Sequence, residues 1–314
     1  MPLMTLIARK RSGLFGWRMT RSRREALVGF AFLSPWIIGL LLLKLLPILA
    51  SLVISFTDFY MLRPEETHFI GLANYAQLFH DPGVGYTLFA TLSLAIYTVP
   101  LQLVVSLILA TLLTSPRLSG KQTFRTLFFL PSIIPSIAIL VMWIGFLDPN
   151  TGWLSAIFGW SLGVSPIEAF NSEGGYNLLM ALQSLWSIGP GFLIMLGALL
   201  SVPVELYEAA RVDGAGPLTR FFSITLPMIS PAIFFSLIIN LIGVAGGTVL
   251  LDRGNIFSGS VSAFDGYIDY VMFSRFELGY AASLAWVFLI LMMVVIVVVF
   301  RTARYWVFYP EAGD

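Results

Sequence analysis

The side chains with the most recognisable chemistry lie in one short polar segment between two long apolar runs. They combine one acid with small residues and an apolar end, and they are Glu208, Ala209, Ala210, Gly214, Ile224, Leu226 and Pro227. The alanines leave a thin helix that another protein can approach closely, and Glu208 offers a carboxylate to which an arginine can donate two hydrogen bonds. The chemistry that this segment predicts is recognition by a partner protein.

The segment is predicted to fold as a short helix outside the membrane. Ser201 is suited to cap its N-terminus, Pro203 is tolerated in the first turn, and Glu205 places negative charge near the positive helix end. Gly214, followed by Pro217, predicts the end of the helix after about three turns.

The residues from Pro217 to Pro227 lead from this helix into the next apolar run. Pro227 and Pro231 are expected to bend the start of that run, because proline disturbs the helical hydrogen bonds before it. An ordinary amphipathic loop at the membrane surface explains the same residues equally well on physical pattern alone, so both interpretations stay open at this point.

Composition places the chain in a membrane. Hydrophobic residues make up 58% of the 314 residues and charged residues only 11%, which is typical of an integral membrane protein. A helix crosses a hydrocarbon core of about 30 Å with roughly 20 apolar residues. Continuous apolar runs of that length favour helices over a barrel. Six such runs cover residues 27–56, 85–113, 127–147, 176–200, 222–247 and 271–300.

The sequence therefore predicts an all-α integral membrane protein with six transmembrane helices and a short cytoplasmic helix between the fourth and fifth, which we call the coupling helix. The membrane domain covers residues 27–304 and includes the coupling loop at 201–227. A basic arm at residues 1–26 precedes it, and a short tail at residues 305–314 follows it. The basic start of the first span is similar to that of a signal peptide, but its apolar run is about twice the usual length, so a retained helix is expected.

The distribution of basic residues predicts the orientation. Fourteen of the eighteen lysines and arginines lie in the N-terminal arm, the second and fourth connections and the C-terminal tail. By the positive-inside rule, both termini and the segment with Glu208 are expected to face the cytoplasm. The membrane is expected to be the plasma or inner membrane of the cell. Because the basic residues fix the topology, contact with anionic lipid is favoured over nucleic-acid binding.

Several function classes are excluded or disfavoured by what the sequence lacks. Cysteine is absent, so disulfides, thiolate metal sites and thiol catalysis are excluded. His68 and His80 are the only histidines, and no acid lies deep within a span, so a proton relay lacks carriers. No phosphate-binding loop ending in Lys-Ser or Lys-Thr occurs, so the chain is not expected to hydrolyse ATP. No cofactor, metal site or catalytic residue is predicted.

The polar segment resembles a known signature. It is the signature of permease subunits of binding-protein-dependent ABC importers, and the run from Glu208 to Pro227 resembles it in register. The signature reads Glu-Ala-Ala, then three residues and Gly, then nine residues and Ile, then one residue and Leu-Pro. Weaker similarities to the carbohydrate-type branch follow in the family's order, at Phe32–Pro35, Gly71–Tyr75, Asp81–Pro82, Phe128–Pro131 and Asp148–Trp153.

This resemblance implies a permease subunit that moves a sugar or similar polyol into the cytoplasm by alternating access. In that family the coupling helix docks into a groove of a cytoplasmic ATP-binding subunit, where ATP is hydrolysed. A second, related permease completes the pore, so a heterodimer is expected, and an extracytoplasmic solute-binding protein delivers the solute. The alternative is a stand-alone channel or secondary transporter for a small polar solute.

Polar residues within two spans indicate a candidate solute pathway. Gln183 and Ser187 are four residues apart on the fourth span, while Asn240 and Gly243 are three apart on the fifth, so each pair shares a helix face. Trp186 offers a stacking surface. Gln183 and Asn240 lie at similar depth, about 25 to 27 Å from the cytoplasmic helix ends. An amide in a wet cavity can bind a sugar hydroxyl, but these amides can equally tie helices together.

One residue departs from the family pattern. Lys44 lies within the first span, where relatives usually have an apolar residue. Its expected role is to extend towards the membrane surface or to pair with a neighbour, and a contact with the solute pathway is the alternative.

Overall fold

The residues that the computed structural model describes are mostly helical, and none of them lies in a strand. The residues it describes are 21–115, 118–148, 151–154, 156–157, 181–245 and 263–309. The chain divides into two compact units between Val53 and Ile54.

The first unit contains one long apolar helix. α1 spans Arg21–Leu40, a π turn covers Leu41–Leu45, and α2 spans Leu46–Ile54. The wide turn comes just before Pro47, whose ring has no N–H to donate and crowds the carbonyl four residues back. Lys44 lies inside this turn and is exposed.

The main helices of the second unit vary widely in length. They are α3 at Ala73–Leu78, α4 at Pro82–Thr114, α5 at Lys121–Phe129, α6 at Ser136–Leu147, α7 at Gly189–Ser201, α8 at Val204–Val212, α9 at Pro217–Arg220, α10 at Leu226–Ala245, α11 at Phe264–Phe273 and α12 at Leu278–Ala303.

Four helical stretches of the described residues are long and apolar enough to cross a membrane. These are Glu25–Ile54, Pro82–Thr114, Pro217–Val244 and Leu278–Ala303. α7 and α8 pass the same test as a pair, but they are bent by 60° at their junction. The described residues thus contain four or five candidate spans, and the sequence-based count of six stays a prediction.

The predicted span at residues 127–147 is interrupted in the structure. At residues 127–147, α5 gives way to a 3₁₀ turn at Leu130–Ile133, and α6 begins after it. Pro131 and Pro135 explain the break, because neither can donate a backbone hydrogen bond. The first residues of the predicted span at 176–200 lie outside the described residues, whose next range begins at Ala181.

α4 holds the second unit together through contacts at both of its ends. Near its C-terminus, Ala110 and Leu113 pack against Phe192, Met195 and Leu196 of α7. Between helices in a bilayer such contacts stabilise through van der Waals packing, because lipid tails are as apolar as these side chains. This packing fixes α7, and with it the junction to α8, against α4.

The N-terminal end of α4 packs against the last two helices. The buried side chains of this second apolar cluster include Val84, Phe264, Val271, Leu284 and Phe288. The backbone N–H of Phe264 also donates to the hydroxyl of Thr91 at 2.8 Å, so α11 is joined to α4 by a polar bond as well as by apolar contact.

Candidate functional site

The helix that carries Glu208 begins later than the sequence predicts. α8 starts at Val204, with Pro203 as its N-cap. Ser201 is the last residue of α7, and its hydroxyl donates to the carbonyl of Ala198 at 2.8 Å. The prediction that Ser201 caps α8 is wrong, because this hydroxyl is already used inside the preceding helix.

Gly214 ends α8 as predicted. Its φ is +78°, a left-handed conformation that glycine adopts without strain. Its N–H donates to the carbonyl of Arg211 at 3.0 Å, and the N–H of Ala215 donates to the carbonyl of Ala210 at 2.8 Å. These are the two bonds of a Schellman motif. Nothing lies within 4 Å of a Cβ built on Gly214, so backbone conformation rather than crowding favours glycine here.

The face of α8 that carries the acid is open. Glu208 and Ala209 are exposed, and Ala210 is half-buried. Within the described ranges the Glu208 carboxylate has no hydrogen-bond or ion-pair partner. Two apolar side chains nearby in sequence are also strongly exposed, Val212 at 88% and Leu218 at 74%. A free carboxylate among exposed apolar side chains is suited to a protein interface.

Tyr207 joins α8 to the start of the long helix that follows. Its hydroxyl lies 2.9 Å from the hydroxyl of Thr225. Thr225 is buried and closes a π turn at Phe221–Thr225. Sequence reasoning missed Tyr207, because nothing in the spacing of the chain indicates that a tyrosine next to Glu208 reaches a threonine beyond the Gly214 turn.

The remaining residues of the signature lie where this long helix begins. Ile224 is within the π turn, and Leu226 and Pro227 open α10. The turn before Pro227 agrees with the expectation that this proline disturbs the entry. Pro231 lies inside α10, which stays α-helical around it, so the second predicted disturbance is not seen.

A buried polar cluster contains two of the predicted pathway residues. Gln183 is 2% exposed, and among the described residues neither its amide nitrogen nor its amide oxygen has a hydrogen-bond partner. The indole of Trp186 packs edge-to-face on Trp143, with ring centroids 6.2 Å apart. Both indole N–H groups are buried and unpaired. Gln183, Trp186 and Trp143 form what we call the unpaired cluster.

The backbone around the unpaired cluster is held firmly. The side chain of Gln102 on α4 donates to the carbonyl of Ser184 at 3.0 Å. At Gly189 a Cβ would lie 2.9 Å from the carbonyl oxygen of Phe128, so only glycine permits this close approach. Loose packing therefore does not explain the missing partners of Gln183.

An unpaired polar group in such a place is costly. Each buried donor or acceptor without a partner costs about 1–3 kcal/mol, and such groups are few in native proteins. Sequence reasoning identified Gln183 and Trp186 but missed Trp143. A tryptophan within an apolar run carries no local signal of a contact on another helix.

The other predicted pathway residues lie on two elements. The backbone of Ser187 ends the 3₁₀ turn at Leu185–Ser187. Asn240 is half-buried and Gly243 is exposed, both on α10. Among the described residues no hydrogen bond connects Gln183 to Asn240. Ser236, one turn before Asn240, is buried with an unpaired hydroxyl, so α10 also carries a polar group without a partner.

A different polar cluster has its acid fully paired. Asp81 caps α4, and its carboxylate accepts hydrogen bonds from the hydroxyls of Tyr267 at 2.6 Å and Tyr280 at 2.8 Å and from the N–H of Gly83 at 2.9 Å. Arg275 lies close enough to act on it through its charge. We call this group the Asp81 cluster.

The paired carboxylate of the Asp81 cluster is stabilised in its charged form. Partial burial acts to raise the pKa of Asp81, but the hydrogen bonds from the two tyrosines and Gly83, together with the charge of Arg275, outweigh it and lower the pKa below its ordinary value. Burial, and then the bond to this carboxylate, raise the pKa of Tyr267. The tyrosine thus stays a donor and the aspartate an acceptor at neutral pH.

Known proteins with similar sequences are components of transport systems. The family model described as "Binding-protein-dependent transport system inner membrane component" matches residues 102–308. The probable ABC transporter permease protein YesP of Bacillus subtilis is 34% identical over 313 residues, which cover 96% of this chain and 99% of YesP. The arabinooligosaccharides transport system permease protein AraP of Halalkalibacterium halodurans is 30% identical over 314 residues, which cover 98% of this chain and 94% of AraP.

A solved structure has a similar fold. It is the crystal structure of a bacterial alginate ABC transporter in complex with an alginate pentasaccharide-bound periplasmic protein. One of its chains aligns with a TM-score of 0.73 and 19% sequence identity, covering 91% of this chain and 97% of that chain.

Proposed function

The chain belongs to the family of inner membrane components of binding-protein-dependent transport systems, and from this we propose that it forms half of a pore that imports a saccharide or similar polyol by alternating access. The observation that carries the proposal is the open face of α8. A free Glu208 carboxylate lies on a helix that ends at Gly214 and is bonded to the next span through Tyr207.

The class of solute follows from the relatives. AraP is named for arabinooligosaccharides, and the structurally similar chain comes from an alginate transporter. Both names support a saccharide for this chain. The unpaired cluster also supports a saccharide, because it offers three uncharged donors and one acceptor beside two indole rings. Sugar hydroxyls both donate and accept hydrogen bonds, and aromatic faces pack against apolar surface.

We propose six transmembrane helices with both termini and α8 in the cytoplasm. The excess of lysine and arginine in the corresponding connections supports this orientation. The apolar stretch Pro217–Val244 and the apolar helix α7, which is bent by 60° from α8, support the spans on the two sides of the coupling loop. The ends of α4 and α12 that meet at Asp81 then lie on the outer side.

α8 is proposed to dock into a groove of a cytoplasmic ATP-binding subunit. Glu208 is the anchor for a basic side chain, while Val212 and Leu218 fill apolar parts of the contact. When ATP binding brings two such subunits together, α8 moves with its groove, and the spans that follow turn the pore from inward-facing to outward-facing. ATP hydrolysis is assigned to that partner, not to this chain.

Two further partners complete the proposed importer. A second, related permease is needed for the other half of the pore, and an extracytoplasmic solute-binding protein delivers the saccharide, as the family's description implies. Gln183, Trp186 and Trp143, with Ser236 and Asn240 on α10, are proposed to contact the solute. Their buried atoms are closed off in this conformation, so this site would open in another state of the cycle.

Substitution of Glu208 tests the proposed function. Glu208→Lys reverses the charge of the anchor, and a like-charge contact in a docked interface costs several kcal/mol. In the complete importer in liposomes, we expect uptake and ATP hydrolysis stimulated by the binding protein to be lost while the permease still inserts. Glu205→Lys changes an exposed acid of the same helix and is the matched control. Uptake by the purified chain alone, or wild-type activity of Glu208→Lys, would instead support a stand-alone channel or secondary transporter.

A further inference from the structure

We propose that the hydrogen bond between Tyr207 and Thr225 makes α8 and the following span turn as one body, by fixing α8 to the π turn at Phe221–Thr225 where that span begins. The proposal rests on the proposed function, because it assigns a mechanical role within the same coupling loop. The proposal concerns the step that follows docking, in which the movement of α8 is transmitted to the membrane span.

The backbone between α8 and the long helix gives little stiffness. Gly214 adopts a left-handed conformation, Gly216 follows two residues later, and a Cβ at either position would meet nothing within 4 Å. α9 has only four residues. Glycines in an uncrowded turn leave the backbone free to pivot. A helix held only by this connection would move in its groove without turning the span.

The bond between Tyr207 and Thr225 supplies a second attachment. The two hydroxyl oxygens are 2.9 Å apart, and they join residues 18 positions apart in the chain. Thr225 is only 6% exposed, so water competes little for this bond. Two attachments, one covalent and one through hydroxyls, restrict rotation of α8 far more than either does alone.

Thr225 also ties the bond to the backbone of the π turn. Its hydroxyl can donate to the carbonyl of Arg220, 3.5 Å away, while it accepts from Tyr207. Arg220 is five residues earlier, and the N–H of Leu226 likewise donates to the carbonyl of Phe221 five residues before it. The wide turn therefore places the threonine hydroxyl between the tyrosine and the backbone of the π turn.

The π turn is suited to receive this attachment. Turns of this type are uncommon and often occur at functional sites, and Pro227 removes one backbone donor beside it. The π turn at Leu41–Leu45 in the first unit has the same position relative to a Leu-Pro pair, but it contains no buried residue. A Leu-Pro pair thus follows both π turns. Among the described residues, the π turn at Phe221–Thr225 is the one with a hydrogen bond to a helix outside its span, through Thr225 and Tyr207.

Removing single hydroxyls tests the link in the complete importer in liposomes. Tyr207→Phe and Thr225→Val keep the shapes of the side chains but remove the bond. We expect each to lower the amount of saccharide taken up per ATP hydrolysed by about three- to tenfold, the change that one hydrogen bond of ordinary strength provides. The double variant should be no worse than either single variant, because both remove the same interaction.

Matched controls separate this role from general stability. Thr219→Val removes an exposed hydroxyl from the same loop, and Tyr97→Phe removes an exposed tyrosine hydroxyl from α4. Both should keep wild-type uptake per ATP. If the bond only supports folding, the variants would lose melting temperature, and uptake and ATP hydrolysis would fall together with their ratio unchanged. That result, or additive losses in the double variant, would overturn the proposal.

A distance measurement gives an independent readout. The chain has no cysteine, so spin labels can be attached at Val204→Cys on α8 and Phe235→Cys on α10, both at exposed positions outside the proposed contact. We expect a narrow distance distribution that shifts as a whole when ATP binds, and a broad one in Tyr207→Phe. An equally narrow distribution in the variant would contradict the proposal. Glu208→Lys in the same assay shows whether docking itself fails, which would place the error in the proposed function instead.

Discussion

The Asp81 cluster and the unpaired cluster are two enclosed polar groups beside the same helix, α4, with opposite hydrogen bonding. Both oxygens of the Asp81 carboxylate accept hydrogen bonds: one oxygen accepts from the hydroxyls of Tyr267 and Tyr280, and the other accepts from the N–H of Gly83. Neither amide atom of Gln183 is paired, although the residue is more deeply buried and its neighbour Ser184 is bonded to α4.

The difference supports a structural role for the Asp81 cluster and the proposed solute-binding role for the unpaired cluster. A paired carboxylate at the end of α4 stabilises the contact of α4, α11 and α12, because its charge receives several donors. Unpaired groups lower stability, and a protein with about 5–15 kcal/mol in total tolerates few of them. We infer that the Asp81 cluster stays closed during transport, whereas the unpaired cluster finds its partners when solute or water enters.

The largest expected effect on stability follows removal of the Asp81 carboxylate. Asp81→Ala leaves two tyrosine hydroxyls without an acceptor and removes a helix cap, which together cost about 2–4 kcal/mol. We expect the melting temperature of the purified importer to fall by several degrees while uptake per folded molecule is kept. Glu65→Ala, at an exposed acid, is the control. Loss of uptake without loss of stability would reverse the assignment of this cluster.

The opposite outcome is expected for Gln183→Leu. Leucine fills a similar volume without unpaired atoms, so the melting temperature should stay equal or rise, while uptake should fall about tenfold through loss of two solute hydrogen bonds. Gln102→Leu is the matched variant, because this amide is paired with Ser184 and its removal should lower the melting temperature. If Gln183→Leu lowered stability and kept wild-type uptake, Gln183 would be a tie between helices.

A smaller effect is expected at the residue that sequence reasoning missed. Trp143→Phe keeps an aromatic ring against Trp186 but removes one unpaired donor, so uptake should fall about threefold, as for one neutral hydrogen bond. Trp153→Phe, at an exposed position, should have no effect. Equal uptake kinetics in the two variants would remove Trp143 from the proposed solute site.

The smallest effect concerns pH. The pKa of Asp81 is lower in the folded protein than the unfolded value of about 3.9, so its contribution to stability is complete above about pH 4 and is lost as the pH falls through the folded pKa. The difference in melting temperature between wild type and Asp81→Ala should therefore be equal at pH 7 and pH 5 and shrink only below about pH 4. A difference that already shrinks between pH 7 and 5 would contradict this assignment.

The sequence predicts local features better than contacts between distant segments. The end of α8 was predictable because Gly214 determines its own backbone conformation. Its start was not, because Ser201 can cap one helix or complete the previous one, and tertiary packing selects between them. The identity of Gln183 as a polar residue in an apolar run was visible, but its lack of partners depends on α4 and α6.

The same limit applies to the coupling loop. The signature from Glu208 to Pro227 identifies the family, since its spacing is local. The bond between Tyr207 and Thr225 depends on how the chain returns after Gly214, and the π turn depends on how the helix accommodates Pro227. Neither this hydrogen bond nor the π turn can be predicted from a pattern of residues in the sequence.

Cysteine accessibility at two matched serines tests the central claim most directly. Ser184 next to Gln183 is 7% exposed and Ser283 next to the Asp81 cluster is 0% exposed, and each hydroxyl donates to the carbonyl three residues before it. In the complete importer, a water-soluble thiol reagent should label Ser184→Cys faster when the complex is trapped with ATP, and added saccharide should slow that labelling. Ser283→Cys should stay unlabelled in every state. Equal labelling of both cysteines, or protection of Ser184→Cys throughout the cycle, would contradict the claim that the unpaired cluster opens to solute while the Asp81 cluster stays closed.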